Sequence, residues 1–204
     1  MNDPVNRRRR GLVLGMAVLP ITGLAATTQT PPASEGPFYP LSAMRFDDVD
    51  NDLVRVAGQV RQAGGEIVRF GGRVLDTAGQ PVAGARVEIW QCDVNGRYLH
   101  AADRAGSVYD AGFQGFGHDV TASDGVYLFR TIKPVPYAGR TPHIHVKVLV
   151  ANRERLTTQF YLPDHPGNTR DWLYRRVAPD RREQVTLNFV AGVDLPEARL
   201  DIVV

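Results

Sequence analysis

Two of the chain's five histidines, His143 and His145, stand one residue apart in the run "RTPHIHVKV" (residues 140–148). On a strand successive side chains alternate between faces, so both imidazoles share one face and Ile144 takes the other. Such a pair can bind a metal, form a pH-sensitive patch or pack as a partly buried polar pair. A metal needs further donors. A cupin-like set would require a glutamate a few residues on, but Glu154 lies nine residues after His145. No acidic residue on a neighbouring run obviously completes a set of two histidines and one carboxylate. The single cysteine, Cys92, excludes zinc held by several thiolates. Tyrosine is what lies close: Tyr137 sits six residues before His143 in "IKPVPYAGR", and Tyr98 ends "IWQCDVNGRY". Phenolate oxygen is a hard anionic donor, suited to a hard, highly charged ion such as Fe(III).

These residues must be positioned by short, β-rich elements. The runs "EIVRFGGRVLD", "ARVEIWQCD", "GVYLFRTI", "HIHVKVLV", "LTTQFYL", "QVTLNFV" and "ARLDIVV" are rich in Val, Ile, Thr and aromatics and are bounded by turn formers. "DTAGQPVAG" and "TASDG" carry strong turn signals. Seven or eight short strands without a long amphipathic helix predict an all-β, antiparallel β-sandwich with long loops. One short helix is expected in "NTRDWLYRRVAP", capped by Asn168 or Thr169 and ended by Pro179. The segment from Gly96 to His118 reads as a large loop covering one edge of the sandwich.

At 204 residues the chain suits one domain with a substantial core. Its formal net charge is +2, and leaving out Arg7 to Arg10 lowers it by four, to about −2, so charge makes no case for nucleic acid. Those arginines precede a weakly apolar stretch, Leu12 to about Ala26, interrupted by Gly15, Pro20 and Gly23. The pattern resembles a twin-arginine export signal over residues 1–26, with an ordinary secretory signal or basic anchor as the alternatives. It predicts a periplasmic or extracellular protein with no stable membrane insertion once the signal is removed. Residues 27–40, "TTQTPPASEGPFYP", read as an extended arm and residues 41–204 as the β-sandwich domain. With only one cysteine, no intrachain disulfide can form, and Cys92 beside Trp90 reads as a small buried apolar residue.

In order along the chain, "EGPFYP", "GRVLDTAGQPVAGARVEIWQCDVNGRY", "GFGHDVTASDGVYLFRTIKPVPY", "RTPHIHVKV" and "LTTQFYLP" resemble landmarks of the intradiol ring-cleavage dioxygenases. The likeness runs from about Glu35 to about Pro163. It implies Fe(III) held by Tyr98, Tyr137, His143 and His145. It further implies Arg140 as the active-site arginine, Gln159 as a hydrogen-bonding partner and Trp90 as a residue lining the substrate cavity. The implied reaction opens a catechol-type ring with O2 to a muconate-type dicarboxylate. Tyr137 would leave the metal and accept a proton as substrate binds, while Tyr98 stays. Arg140 would stabilise developing negative charge.

The sequence also departs from the protocatechuate-cleaving members. The loop between Tyr137 and Arg140 is several residues shorter, which puts one wall of the substrate pocket, and so the substrate, in doubt. Oligomeric state is open, a homo-oligomer included. A rival reading comes from "GRVLDTAGQPVAGARVEIW", which also resembles the strand–turn–strand of secreted transthyretin-like binding modules; there the histidines would be a structural metal clip. An Fe(II) extradiol enzyme is disfavoured because it would need a carboxylate ligand.

Overall fold

The computed structural model describes residues 27–47, 49–104 and 106–204; the export signal expected over residues 1–26 lies outside them. Eight strands form two packed sheets. They are β1 (Ile67–Leu75), β2 (Arg86–Trp90), β3 (Phe116–Val120), β4 (Val126–Ile132), β5 (His143–Val150), β6 (Arg153–Tyr161), β7 (Glu197–Arg199) and β8 (Ile202–Val203). One sheet runs β4-β1-β7, with β8 also on β1; the other runs β3-β2-β5-β6. The β1–β4, β2–β3, β2–β5 and β5–β6 pairs are antiparallel, whereas β7 and β8 run parallel to β1. The all-β sandwich is as expected, with that parallel edge added.

Alternation decides which side chains meet between the sheets. Val87 and Ile89 of β2, Ile144, Val146 and Val148 of β5 and Phe160 of β6 pack with Phe70 and Val74 of β1 and Tyr127 and Phe129 of β4. Phe70 contacts the rings of Tyr127, Phe129 and Phe160. Burial of each such side chain contributes about 1.5–3 kcal/mol. The opposite parity, Glu88 and Trp90 on β2 and His143, His145 and Lys147 on β5, faces away from this core and is nonetheless buried. Loops and the N-terminal segment cover that second face.

Several elements differ from the sequence-based expectation. "QVTLNFV" is not a strand: Val185 and Leu187 are buried, but only isolated bridges, Tyr161 to Thr186 and Val190 to Glu197, link the segment to the sheets. "ARLDIVV" is broken into β7 and β8 where Leu200 N donates to Gly71 O. Gly72 lies against this break, and a Cβ there would stand 2.0 Å from Leu200 O. β3 emerges inside the segment expected to be loop. The expected short helix resolves into 3-10 turns at Pro166–Thr169, Tyr174–Arg176 and Pro179–Val185, so Pro179 begins a turn rather than ending a helix. The cap of the first is His165, whose side chain accepts from Gly167 N, not Asn168 or Thr169. No helix among the described residues is long and apolar enough to cross a membrane.

Candidate metal centre

Register brings the polar face together. Trp90 of β2, His145 of β5 and Gln159 of β6 are consecutive cross-strand partners, and His143 pairs with Tyr161. β2 ends where its antiparallel neighbour β5 begins, so the connectors that follow β2 and precede β5 emerge at one end of the sheet. The first, residues 91–115, carries Tyr98; the second, residues 133–142, carries Tyr137 and Arg140.

Each donor is held differently. His143 Nδ1 lies 2.7 Å from Thr141 O. A carbonyl only accepts, so Nδ1 bears the proton and Nε2 presents a lone pair. His145 is stacked face to face on Trp90, with centroids 4.7 Å apart. The two Nε2 atoms are 3.2 Å apart, and Tyr98 Oη is 3.5 Å from His143 Nε2. Tyr98 is fixed by acidic turns: its N–H donates to Asp103 at 2.7 Å, and Asp93 Oδ1 accepts from Asn95 and Arg97 N–H. The Tyr137 ring meets Tyr98 edge-on at 4.9 Å and His143 at 6.2 Å between centroids.

Tyr137 and Arg140 are joined by a two-residue turn in which Ala138 (φ 43°) and Gly139 (φ 78°) are both left-handed, closed by Arg140 N–H to Tyr137 O at 2.7 Å. Positive φ at both central positions is the primed hairpin geometry that sets the flanking residues side by side. The Arg140 guanidinium donates from Nε to Asp171 Oδ2 at 2.6 Å and from Nη2 to Gln159 Oε1 at 2.7 Å. Gln159 also accepts from Tyr161 Oη and donates to Ser34 O. The structure thus gathers all seven residues singled out in the sequence. Trp90 and Gln159 are wholly buried, and Gln159 is engaged chiefly with Arg140.

Electrostatics keeps both imidazoles neutral. Burial, then the Arg140 charge, lowers the His143 pKa to about 4, and burial with His143 beside it holds His145 well below the usual imidazole range. Both rings are therefore neutral. Burial pushes the Tyr98 phenol well above its ordinary value and raises Tyr137 as well. A cation between them would favour the phenolates. The two Nε2 atoms, 3.2 Å apart, are close enough for one ion to touch both. Among the described residues no group of three His, Cys, Asp or Glu side chains stands close enough to hold a metal. Tyr98 and Tyr137 are the oxygen donors beside the histidines. The donor set fits a hard ferric ion.

Asp171, which holds Arg140, was not singled out from the sequence, and neither were the individual residues of the arm. The arm starts against the first sheet, where Thr30 exchanges hydrogen bonds with Val203 of β8, and then crosses to the second as extended chain: Ala33 N–H donates to Thr157 O, and Thr158 Oγ1 to Pro31 O. Glu35 pairs with Lys147, two residues beyond His145. Phe38 then packs on Tyr98 and Tyr137, and Tyr39 on Trp90. Between these anchors Gly36 adopts φ +76°, and a Cβ there would lie 3.3 Å from His145 Cε1. "EGPFYP" marked this stretch as a landmark, but nothing in it shows which imidazole it braces. Gly36→Ala is expected to lose about 1–2 kcal/mol through the left-handed backbone and to displace His145, lowering iron occupancy of the folded protein. Iron content alongside thermal melting checks this; full occupancy would show that the arm does not brace the ring.

The chain resembles known proteins both in sequence and in fold. A family model described as Dioxygenase matches residues 34–202. The protocatechuate 3,4-dioxygenase beta chain of Burkholderia cepacia is 34% identical over 149 residues, covering 69% of this chain and 63% of the relative. Catechol 1,2-dioxygenase 1 of Acinetobacter lwoffii is 31% identical over 163 residues, covering 71% and 50% respectively. The chain thus spans roughly half to two thirds of the length of these curated relatives. Among solved structures, the dioxygenase domain of a dioxygenase–carbohydrate-binding protein fusion from Streptomyces sp. SirexAA-E is 32% identical, with a TM-score of 0.65 over 87% of this chain and 98% of that one. An intradiol ring-cleavage dioxygenase from Tetranychus urticae, 21% identical, shares the fold with a TM-score of 0.69 over 87% of this chain and 94% of that one.

Proposed function

The chain belongs to the intradiol ring-cleavage dioxygenase family, and from that premise we propose that it opens a catechol-type ring with dioxygen. In the proposed reaction the carbon–carbon bond between the two hydroxyl-bearing carbons breaks. Each of those carbons takes one atom of O2, giving a muconate-type dicarboxylate. The observation that carries the reading is the facing pair of His143 and His145 Nε2 atoms, 3.2 Å apart, with Tyr98 Oη 3.5 Å from His143 Nε2.

His143, His145, Tyr98 and Tyr137 would hold ferric iron. When bound there, the ion would supply Lewis acidity that acidifies the catechol hydroxyls and so favours the electron-rich catecholate that meets dioxygen at carbon. The two tyrosines differ in what they are free to do. Tyr98 is buried, and its backbone is tied to Asp103. Tyr137 is half-buried and followed directly by the exposed Ala138–Gly139 turn, which supports its assignment as the phenolate that leaves and takes a substrate proton. Arg140 pairs with Tyr137 across the turn and donates to Gln159, the cross-strand partner of His145, a placement that suits it to stabilise an oxyanion of the ring. A binding module with a structural metal has no use for a half-exposed phenol or for an arginine held against the donor set.

The test is the visible spectrum of purified protein, followed by oxygen uptake with a panel of catechols. Tyrosinate bound to Fe(III) gives a broad charge-transfer band, and an empty or zinc-bound module gives none. Tyr137→Phe is expected to change the resting band yet leave the catechol complex close to wild type, while Tyr98→Phe perturbs both. The reversed pattern would exchange the two roles, and a colourless iron-free protein without oxygen uptake would overturn the reading.

A further inference from the structure

Asp171 lies in the stretch expected to be a short helix, and its side chain is wholly inaccessible to solvent. A buried carboxylate without partners is costly, and this one is saturated. Oδ2 accepts from Arg140 Nε at 2.6 Å and from Thr141 N at 3.0 Å; Oδ1 accepts from the N–H groups of Leu173 and Tyr174, each at 3.0 Å. Burial alone would raise its pKa, but hydrogen bonds from Arg140, Tyr174 and Thr141 hold it below the ordinary carboxylate range. The carboxylate therefore stays charged and joins two segments, one of which carries Arg140.

What that does to Arg140 follows from the planarity of a guanidinium. With Nε fixed by Asp171 and Nη2 by Gln159, two of its three nitrogens are held from two sides. The direction of the remaining nitrogen, Nη1, is set by the other two, and the guanidinium also hydrogen-bonds the Tyr161 hydroxyl. Thr141, whose N–H Asp171 also holds, presents the carbonyl that takes the His143 Nδ1 proton. We propose that Asp171 is a positioning residue that fixes the Arg140 donor edge beside the metal ligands. This rests on the reading of Arg140 given above.

A purely structural staple and a positioning residue part company in a double-mutant cycle. Asp171→Asn keeps the shape but loses the charge and one acceptor pair. Turnover per bound iron in the holoenzyme should fall about tenfold to a hundredfold, as expected for a misdirected group. The visible band should persist. Asp171→Asn combined with Arg140→Ala should be no slower than Arg140→Ala alone. In the metal-free protein, the Arg140 Nε–H should give a protected NMR signal, assigned by its absence in Arg140→Lys and lost in Asp171→Asn. If Asp171→Asn does not fold, that signal in the wild-type protein still decides, because an unprotected Nε–H overturns the proposal. Wild-type turnover per iron in Asp171→Asn, with Arg140→Ala severely impaired, also overturns it while leaving the Arg140 role standing. Near-normal turnover in Arg140→Ala would instead remove the Arg140 reading itself.

Discussion

His145→Ala is expected to yield a folded β-sandwich that retains almost no iron and no charge-transfer colour. The core between the sheets lies on the other parity of β5, at Ile144, Val146 and Val148, so removing the imidazole leaves that packing alone. The local loss is a small cavity against Trp90, on which the ring is stacked. Large-to-small substitutions at comparable buried sites cost about 2–5 kcal/mol, and His145→Gln, which fills more of the space, serves as the companion variant. On the proposed assignment, the metal would lose one of four donors. Groups that merely support a ligand are worth about 10–100-fold in affinity, so losing a ligand itself should cost more than about a hundredfold. His143→Ala should do the same and free Thr141 O as well. Iron analysis of the purified variants decides the matter; full occupancy with unchanged colour in His145→Ala would show the site to be misplaced.

The parity of the histidines was legible because it needs only the two-residue period of a strand. The side of the sheet they occupy was not. Both faces of β5 are buried from His143 to Val148, so hydrophobic alternation carries no directional information there. Strand β3 was missed for a related reason: "GFGHDV" holds Gly115 and Gly117 and few β-branched residues, and it is an edge strand fixed by pairing to β2. Gly117 is required there because a Cβ would lie 2.4 Å from Leu53 Cδ1, a contact between residues far apart in the chain.

"NTRDWLYRRVAP" has the composition of a helix but forms 3-10 turns. Asp171 accepts the Leu173 and Tyr174 N–H groups while its other oxygen is taken by Arg140 and Thr141. A tertiary ion pair thereby outcompetes local helix propensity. The arm was legible as extended chain, but its course over His145 depends on Glu35 finding Lys147 across 112 positions, which no local pattern encodes. The proposed ligand set rests on motif order added to residue chemistry. Spacing alone left the histidine pair open between a metal site, a pH-sensitive patch and a partly buried polar pair.

Arg140→Ala is expected to leave iron and colour in place while turnover collapses. Read from sequence alone, an ordinary surface arginine would be worth no more than about half a kcal/mol. The structure changes that comparison, because the side chain is only 16% exposed and its partner Asp171 is fully buried. Removing it strands a carboxylate that keeps only the Thr141, Leu173 and Tyr174 N–H groups. Breaking a fully buried pair costs about 3–5 kcal/mol, and somewhat less here because Arg140 reaches solvent. A lower melting temperature is therefore expected under either role and discriminates nothing. Turnover per bound iron does discriminate. Losing one well-aimed donor to a developing oxyanion costs roughly a hundredfold to a thousandfold, or about 3–4 kcal/mol of barrier. Lysine should rescue in part: it restores a positive charge, but not the planar fork that reaches Asp171 and Gln159 at once and still has a donor left for substrate. The measurement is oxygen uptake with the best catechol found, normalised to iron, for wild type, Arg140→Lys and Arg140→Ala. Near-normal uptake by iron-replete Arg140→Ala would reduce Arg140 to a structural tie for Asp171 and leave the oxyanion to other donors.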